Sequence, residues 1–368
     1  MNDAIQNLRV LLVGGYPPPY GGVTVHIQRL QHYLNRAGAN CLVLNQFRSE
    51  GQPSGNIINL SGGRLAQYFK MRALLTRTDA QIIHFHFSKL GNFLIGGRHL
   101  IKAAGKAICV ATCHSGQLAV EFAHRHKFYR LAAIDLIRAF DHLIAVNPQQ
   151  VEFYTKVIGI EAIRVSLIPT FILPESSQIE LPQAMLNKVT ALRKCCRWIL
   201  MVSGYLLPYY GFDLFLEAVA NLERLYHAKF GLIFIFYTKA DENYRQLLLA
   251  KIEKHGCSLV YENIKPNDFL GLLQQSDLFV RPTLADSFGV SVAEALYLGT
   301  PVVASDVCAR QEGAVLFRSG DVQDLVAKIR AVIENYANIK ATLTEINLPN
   351  NAEQLLALYY ELIKQGEK

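Results

Sequence analysis

The feature that most constrains this chain is a rhythm. Short apolar runs of strand length alternate, from start to finish, with longer stretches whose apolar residues recur every three or four positions. Parallel sheets covered on both faces read this way, because a strand buried on both sides has no polar face to display. In the first half the pattern predicts strands near 8–14, 40–45, 81–87, 106–113, 142–147 and 164–168, with helices over 23–37, 64–76 and 118–140. Residues 169–188 break the rhythm with Pro169, Pro174 and Pro182 among Ser and Gln, and read as a linker. A second series follows, with strands near 198–203, 230–237, 258–262, 278–281 and 301–305. Its helices are expected over 212–226, 241–255, 266–275, 291–298 and 322–336, and a final one over 351–363.

The expected fold class is therefore α/β: two Rossmann-like, doubly wound domains facing a central cleft. The first covers 1–170, a linker 171–190, the second 191–350, and a C-terminal helix within 351–368 crosses back. A length of 368 residues suits about two domains, each able to bury its own core. In such sheets ligands bind beyond the carboxyl ends of the strands, so motifs at those ends carry most weight.

Composition narrows the class. With 51% hydrophobic and 18% charged residues the chain is too apolar to be disordered. No run approaches the ~20 apolar residues of a membrane span, and the first residues, acid-bearing and without an apolar core, argue against a signal peptide. Seven cysteines without a CxxC pair argue against a disulfide framework or a zinc site, and the expected location is the reducing cytoplasm. Residues 1–180 hold 18 Lys+Arg against 10 Asp+Glu, a net +8, whereas the remainder is −1; nine of the eleven histidines also lie in the first part. That asymmetry, without any RRM, KH or zinc-finger spacing, argues against nucleic acid and for an anionic lipid surface or an acidic acceptor. Arg98, Lys102, Lys106, His124, Arg125, His126, Lys127 and Arg130, interleaved with Phe122, Phe128, Tyr129 and Leu131, form the basic and aromatic stretch that could lie on such a surface. An ordinary solvated helix is the plain alternative.

The most specific segment runs from Arg281 through Asp286, Ser287, Phe288, Gly289 and Val290 to Glu294 and Ala295, leaving a strand and entering a helix. Free amides near Gly289 can face an anion with the helix dipole behind them, and Glu294 can accept two hydrogen bonds from vicinal sugar hydroxyls. Simple capping by Asp286 or Ser287 is the competing reading. Gly21 and Gly22 open another helix after the first strand, where backbone can approach a phosphate or sugar; the spacing is not that of a dinucleotide fingerprint. His114 ends a further strand. His84 and His86 share one face of theirs, and metal binding by that pair would need a third ligand that the sequence does not reveal.

These motifs resemble those of the retaining glycosyltransferases of the two-domain GT-B fold, especially family 4, whose acidic-x7-Glu motif appears here with Asp286 in place of the first Glu. The resemblance extends to Gly299-Thr-Pro-Val-Val303, to Gly320-Asp321 and to the Gly15–Val23 loop, and so covers nearly the whole chain. It implies a sugar transferred from a nucleotide-sugar, UDP or GDP first, to a lipid-linked or oligosaccharide acceptor in building a bacterial-type surface polysaccharide such as lipopolysaccharide or capsule. No metal or other cofactor is implied, and the enzyme would be peripheral at the inner face of the membrane. By the same resemblance His114 meets the transferred sugar, Asp286 and the Gly289 amide hold sugar and phosphate, and Glu294 holds the ribose. One departure matters. Where the family carries an Arg and a Lys that neutralise the donor diphosphate, this chain has Tyr205 and Tyr210. Arg281 and Arg310 are the candidates to replace them; the tyrosines could stack a base, bond a phosphate or merely pack. A binding partner without catalysis, and an epimerase or phosphorylase on the same fold, remain the alternatives.

Overall fold

The computed structural model describes residues 7–47, 55–116, 118–174, 179–346 and 348–366. The chain divides into two compact units: Met1–Leu173 with Asn350–Lys368, and Pro174–Pro349.

Unit 1 is built on seven parallel strands: β1 (Arg9–Gly14), β2 (Asn40–Asn45), β3 (Ile57–Asn59), β4 (Ile82–Phe87), β5 (Ile108–Cys113), β6 (His142–Ala145) and β7 (Val165–Leu167). Their order is β3-β2-β1-β4-β5-β6-β7. Successive residues of β1 enter opposite cores: Val10 and Leu12 face one layer of helices, Leu11 and Val13 the other. This is why the strand reads as an unbroken apolar run. The helix Gly22–Arg36 follows β1 and buries Ile27, Leu30 and Leu34, a single stripe at helical spacing. The final helix, Asn351–Gly366, lies on the same layer, burying Leu355, Leu358 and Tyr359, and Asn351 Nδ2 donates to the Phe171 carbonyl at 2.7 Å.

Unit 2 has six parallel strands: β8 (Ile199–Leu206), β9 (Gly231–Ala240), β10 (Ser258–Glu262), β11 (Leu278–Arg281), β12 (Val302–Ser305) and β13 (Val315–Phe317), ordered β10-β9-β8-β11-β12-β13. In β9, Leu232, Phe234 and Phe236 fill one core while Ile233 and Ile235 fill the other.

The structure differs from the sequence reading at several elements. The three-residue edge strands β3 and β13 were not expected, being too short to show a period. The helix expected over 118–140 is two, Leu118–Ala123 and Lys127–Arg138, separated where the His126 side chain caps the second by accepting from the Tyr129 amide. The end of the expected linker belongs to the helix Gln183–Cys195, which packs Val189 and Leu192 into unit 2. Among the described residues no helix is long and apolar enough to cross a membrane.

Candidate functional sites at the two strand reversals

In unit 2 the strand order reverses between β8 and β11, the position at which doubly wound sheets bind ligands. Arg281, the last residue of β11, donates from Nε to Asp286 Oδ2 at 2.9 Å and from Nη1 to the Ser203 carbonyl on β8 at 2.9 Å. Arg310 Nη1 reaches the same Asp286 oxygen at 2.8 Å. Its Nε donates to the Ser305 carbonyl at 3.0 Å, and its Nη2 lies 3.2 Å from both Thr283 Oγ1 and Ser305 Oγ. Two nearly buried guanidinium groups thus share one carboxylate, leaving the cluster with a net positive charge. Burial alone would raise the Asp286 carboxyl; the Arg281 and Arg310 charges outweigh it and hold the group well below the usual carboxylate range. Asp286 is the residue expected to grip a sugar. Its Oδ2 already organises two cations, and Oδ1 accepts the Ser287 amide at 2.9 Å.

The tyrosines of the sequence departure lie beside this cluster. The Arg281 guanidinium sits over the Tyr210 ring, 5.2 Å from its centre, and Tyr205 meets Tyr210 edge-on with centres 5.6 Å apart. Tyr210 also lies so close over Gly204 that a Cβ there would fall 2.0 Å from the ring. Of the readings left open for Tyr210, packing is the one that this geometry displays. Gly289 precedes the helix Val290–Tyr297 in the left-handed region (φ +79°), and a Cβ on it would fall 2.4 Å from Arg310 Nη1. Glycine there satisfies both the backbone and the approach of the guanidinium. Phe288 is buried, and Val290 opens the helix with no side chain capping it. Glu294, in the second turn, is buried rather than solvated; burial and then its charge push the Tyr237 hydroxyl up.

In unit 1 the reversal lies between β1 and β4. The loop after β1 is pinned by Asn45, whose Oδ1 accepts from the Tyr16 and Phe47 amides at 2.8 and 3.0 Å. Thr24 Oγ1 donates back to the carbonyls of Pro19 and Gly21 at 2.9 and 3.1 Å, folding Gly21 and Gly22 onto the helix start. His84 and His86 share a face of β4, their rings 3.9 Å apart, but their partners differ. His84 is fully engaged: Nδ1 with the Tyr359 hydroxyl at 2.6 Å, Nε2 with Thr112 Oγ1 at 2.7 Å. His86 instead meets His114, Nδ1 to Nε2 at 3.1 Å, and His26 completes a buried group of three. His114 is held at the strand end by its own amide, which donates to the Phe87 carbonyl at 2.8 Å. Gln150 Nε2 fixes the same turn by donating to the carbonyls of Cys113 and Ser115 at 2.9 and 2.8 Å.

The basic and aromatic stretch splits. Phe122 is core and Tyr129 half-buried, whereas Phe128 is 80% exposed and Leu131 is exposed beside Arg125, Lys127 and Arg130. Four residues that matter here went unremarked in the sequence: Thr283 and Ser305, which hold Arg310, and His26 and Gln150. Only His26 gave a local signal, one turn into the helix that follows the glycine loop.

Comparison with known proteins adds an independent finding. Residues 20–176 match the model described as Glycosyltransferase Family 4, and residues 196–335 the one described as Glycosyl transferases group 1. The chain is similar in structure to the sucrose-phosphate synthase of Thermosynechococcus elongatus (16% identity, covering 97% of this chain and 100% of that one, TM-score 0.75). It is similar also to a glycosyltransferase from Rickettsia africae (13%, 97% and 99%, TM-score 0.71). A third is the Anabaena protein HepE in complex with UDP and glucose (17%, 97% and 97%, TM-score 0.67). A sequence search of curated proteins found no match.

Proposed function

From the premise that the chain belongs to the GT-B glycosyltransferases, whose family models match both of its units, we propose that it transfers a sugar from a nucleotide-sugar with retention of configuration and without a metal in the transfer step. The observation that carries this reading is the pair of guanidinium groups organised by Asp286 at the strand reversal of unit 2. Departure of a nucleoside diphosphate concentrates negative charge on a phosphate, and preorganised cations stabilise that charge without reorganising during the reaction. Arg281 and Arg310 supply what positions 205 and 210 lack. The Gly289–Val290 helix start offers amides to the same anion, with Ser287 and Phe288 shaping the turn, and Glu294 accepts from the ribose. In unit 1, Gly21 and Gly22 take the phosphate side and His114 the sugar. UDP is the first nucleotide to try, because the Anabaena neighbour was solved with UDP and with UDP-glucose.

The acceptor is read as a lipid-linked or oligosaccharide chain of a surface polysaccharide. The positive excess of residues 1–180 and the exposed Phe128 and Leu131 among Arg125, Lys127 and Arg130 support a peripheral position at the inner membrane face.

The test is calorimetry with UDP, GDP and CMP, followed by turnover of the sugar nucleotide that binds. Glu294→Gln should weaken the nucleotide by roughly 1–3 kcal/mol. Arg281→Gln, checked for native melting, should lower turnover ~100-fold to 1,000-fold while affinity changes little. Nucleotide binding without any turnover would leave a binding protein. Wild-type turnover in folded Arg281→Gln and Arg310→Gln variants would overturn the role of the cations.

A further inference from the structure

The pair of histidines on β4 lacked a third partner in the sequence, and the fold supplies one by exchanging a member. His84 is withdrawn by Tyr359 and Thr112, while His26, from the helix after β1, and His114, from the end of β5, close on His86. We propose that His26, His86 and His114 form a site for one divalent transition-metal ion of the zinc type at the strand reversal of unit 1.

Geometry is the first argument. One nitrogen from each ring lies within 4.8 Å of the other two, and the His86–His114 pair is already at 3.1 Å. Tetrahedral ligands with metal–nitrogen bonds of ~2.0–2.1 Å stand about 3.3 Å apart. The three ring centres form a nearly equilateral triangle of 5.2, 5.0 and 5.4 Å. Imidazoles around one tetrahedral ion give about 5 Å by the same bond lengths.

Unspent donor capacity is the second argument. His26 Nε2 is buried with no hydrogen-bond partner, a costly condition for a polar atom. His26 Nδ1 lies 2.6 Å from the Thr170 carbonyl, an acceptor only. The proton must therefore sit on Nδ1, which leaves Nε2 with a free lone pair. A backbone carbonyl fixing the tautomer of a metal-bound histidine is a common outer-shell arrangement.

The donor set selects the ion. Three imidazole nitrogens suit zinc, cobalt, nickel or copper and disfavour magnesium and calcium, which prefer oxygen. Three protein ligands leave a fourth position for water or an anion. This inference does not rest on the transfer reading, and it revises the expectation that the chain offers no metal ligands.

The experiment uses the untagged full chain, stripped with a chelator and titrated with zinc by calorimetry and with cobalt(II) by visible absorption. The expected result is one zinc per chain saturating in the micromolar range, undisturbed by millimolar magnesium, and the intense visible bands of four-coordinate cobalt. His26→Gln and His114→Gln should abolish both, whereas His99→Gln, at an exposed histidine, should leave them intact. Failure of the wild-type chain to give stoichiometric zinc or the cobalt bands overturns the proposal, whether or not the variants fold. So does unchanged zinc binding in a folded His26→Gln chain. Nucleotide calorimetry on the same stripped sample reads the transfer hypothesis separately.

Discussion

At the scale of single residues, a carboxylate beside a helix start was open to two roles in the sequence, a sugar ligand or a helix cap. The structure gives Asp286 a third, the counter-charge that lets two arginines remain nearly buried side by side. Removing one partner of such a group strands the others, which costs more than the pair contributes by its presence. Asp286→Asn should lower the stability of unit 2 by about 3 kcal/mol, the lower end of the range for buried pairs, because the carboxylate retains 11% exposure. Urea unfolding followed by the fluorescence of Trp198, the single tryptophan and a residue of unit 2, reads this directly. A midpoint unchanged from wild type would mean that the arginines are held by Ser203, Thr283 and Ser305 alone. The motif was legible in the sequence as a spacing. The arginine contacts were not, since Arg310 lies 24 residues beyond the acid it meets.

At the scale of elements, the final helix illustrates how adjacent and identical residues acquire different worth. Tyr359 points into unit 1 and its hydroxyl meets His84 Nδ1, whereas the buried Tyr360 hydroxyl finds no partner among the described residues. Tyr359→Phe leaves a buried imidazole nitrogen unsatisfied and should cost ~1–3 kcal/mol; Tyr360→Phe removes an unpaired group and should be neutral or stabilising. Thermal melts of the two variants compare them within one helix turn, and equal losses would contradict the assignment. The helix itself was readable from its periodicity. Its layer was not, because nothing in residues 351–366 specifies that their apolar stripe belongs with Leu8, Val10 and Ile27.

At the scale of the molecule, the two units should respond to acid in different windows. Burial holds His26 and His142 down to about 4 and keeps His84, His86 and His114 well below the usual imidazole range, all of them in unit 1. Between pH 6.5 and 4 the unfolded chain takes up protons that the folded unit refuses, so stability is complete above ~6.5 and falls as pH drops, by about 2 kcal/mol for His26 alone at pH 5. The depressed groups of unit 2 are carboxylates, Asp286 and Glu223, whose contribution persists above their unfolded values and is lost only below about pH 4. On acidification, loss of helical circular dichroism should therefore begin before the Trp198 signal changes; coincident transitions would show that the units unfold together. The sequence by itself determined the α/β class, both series of strands apart from β3 and β13, and the acid-x7-Glu and glycine-loop motifs, because periodicity and turn chemistry are local. Only the tertiary structure decided which distant groups meet: Arg281 over Tyr210, and His26 in place of His84 beside His86 and His114. The physical reason is strand order. A parallel sheet gathers the ends of strands far apart in sequence at the point where its order reverses, and that order is set by packing between elements rather than by the period of any one of them.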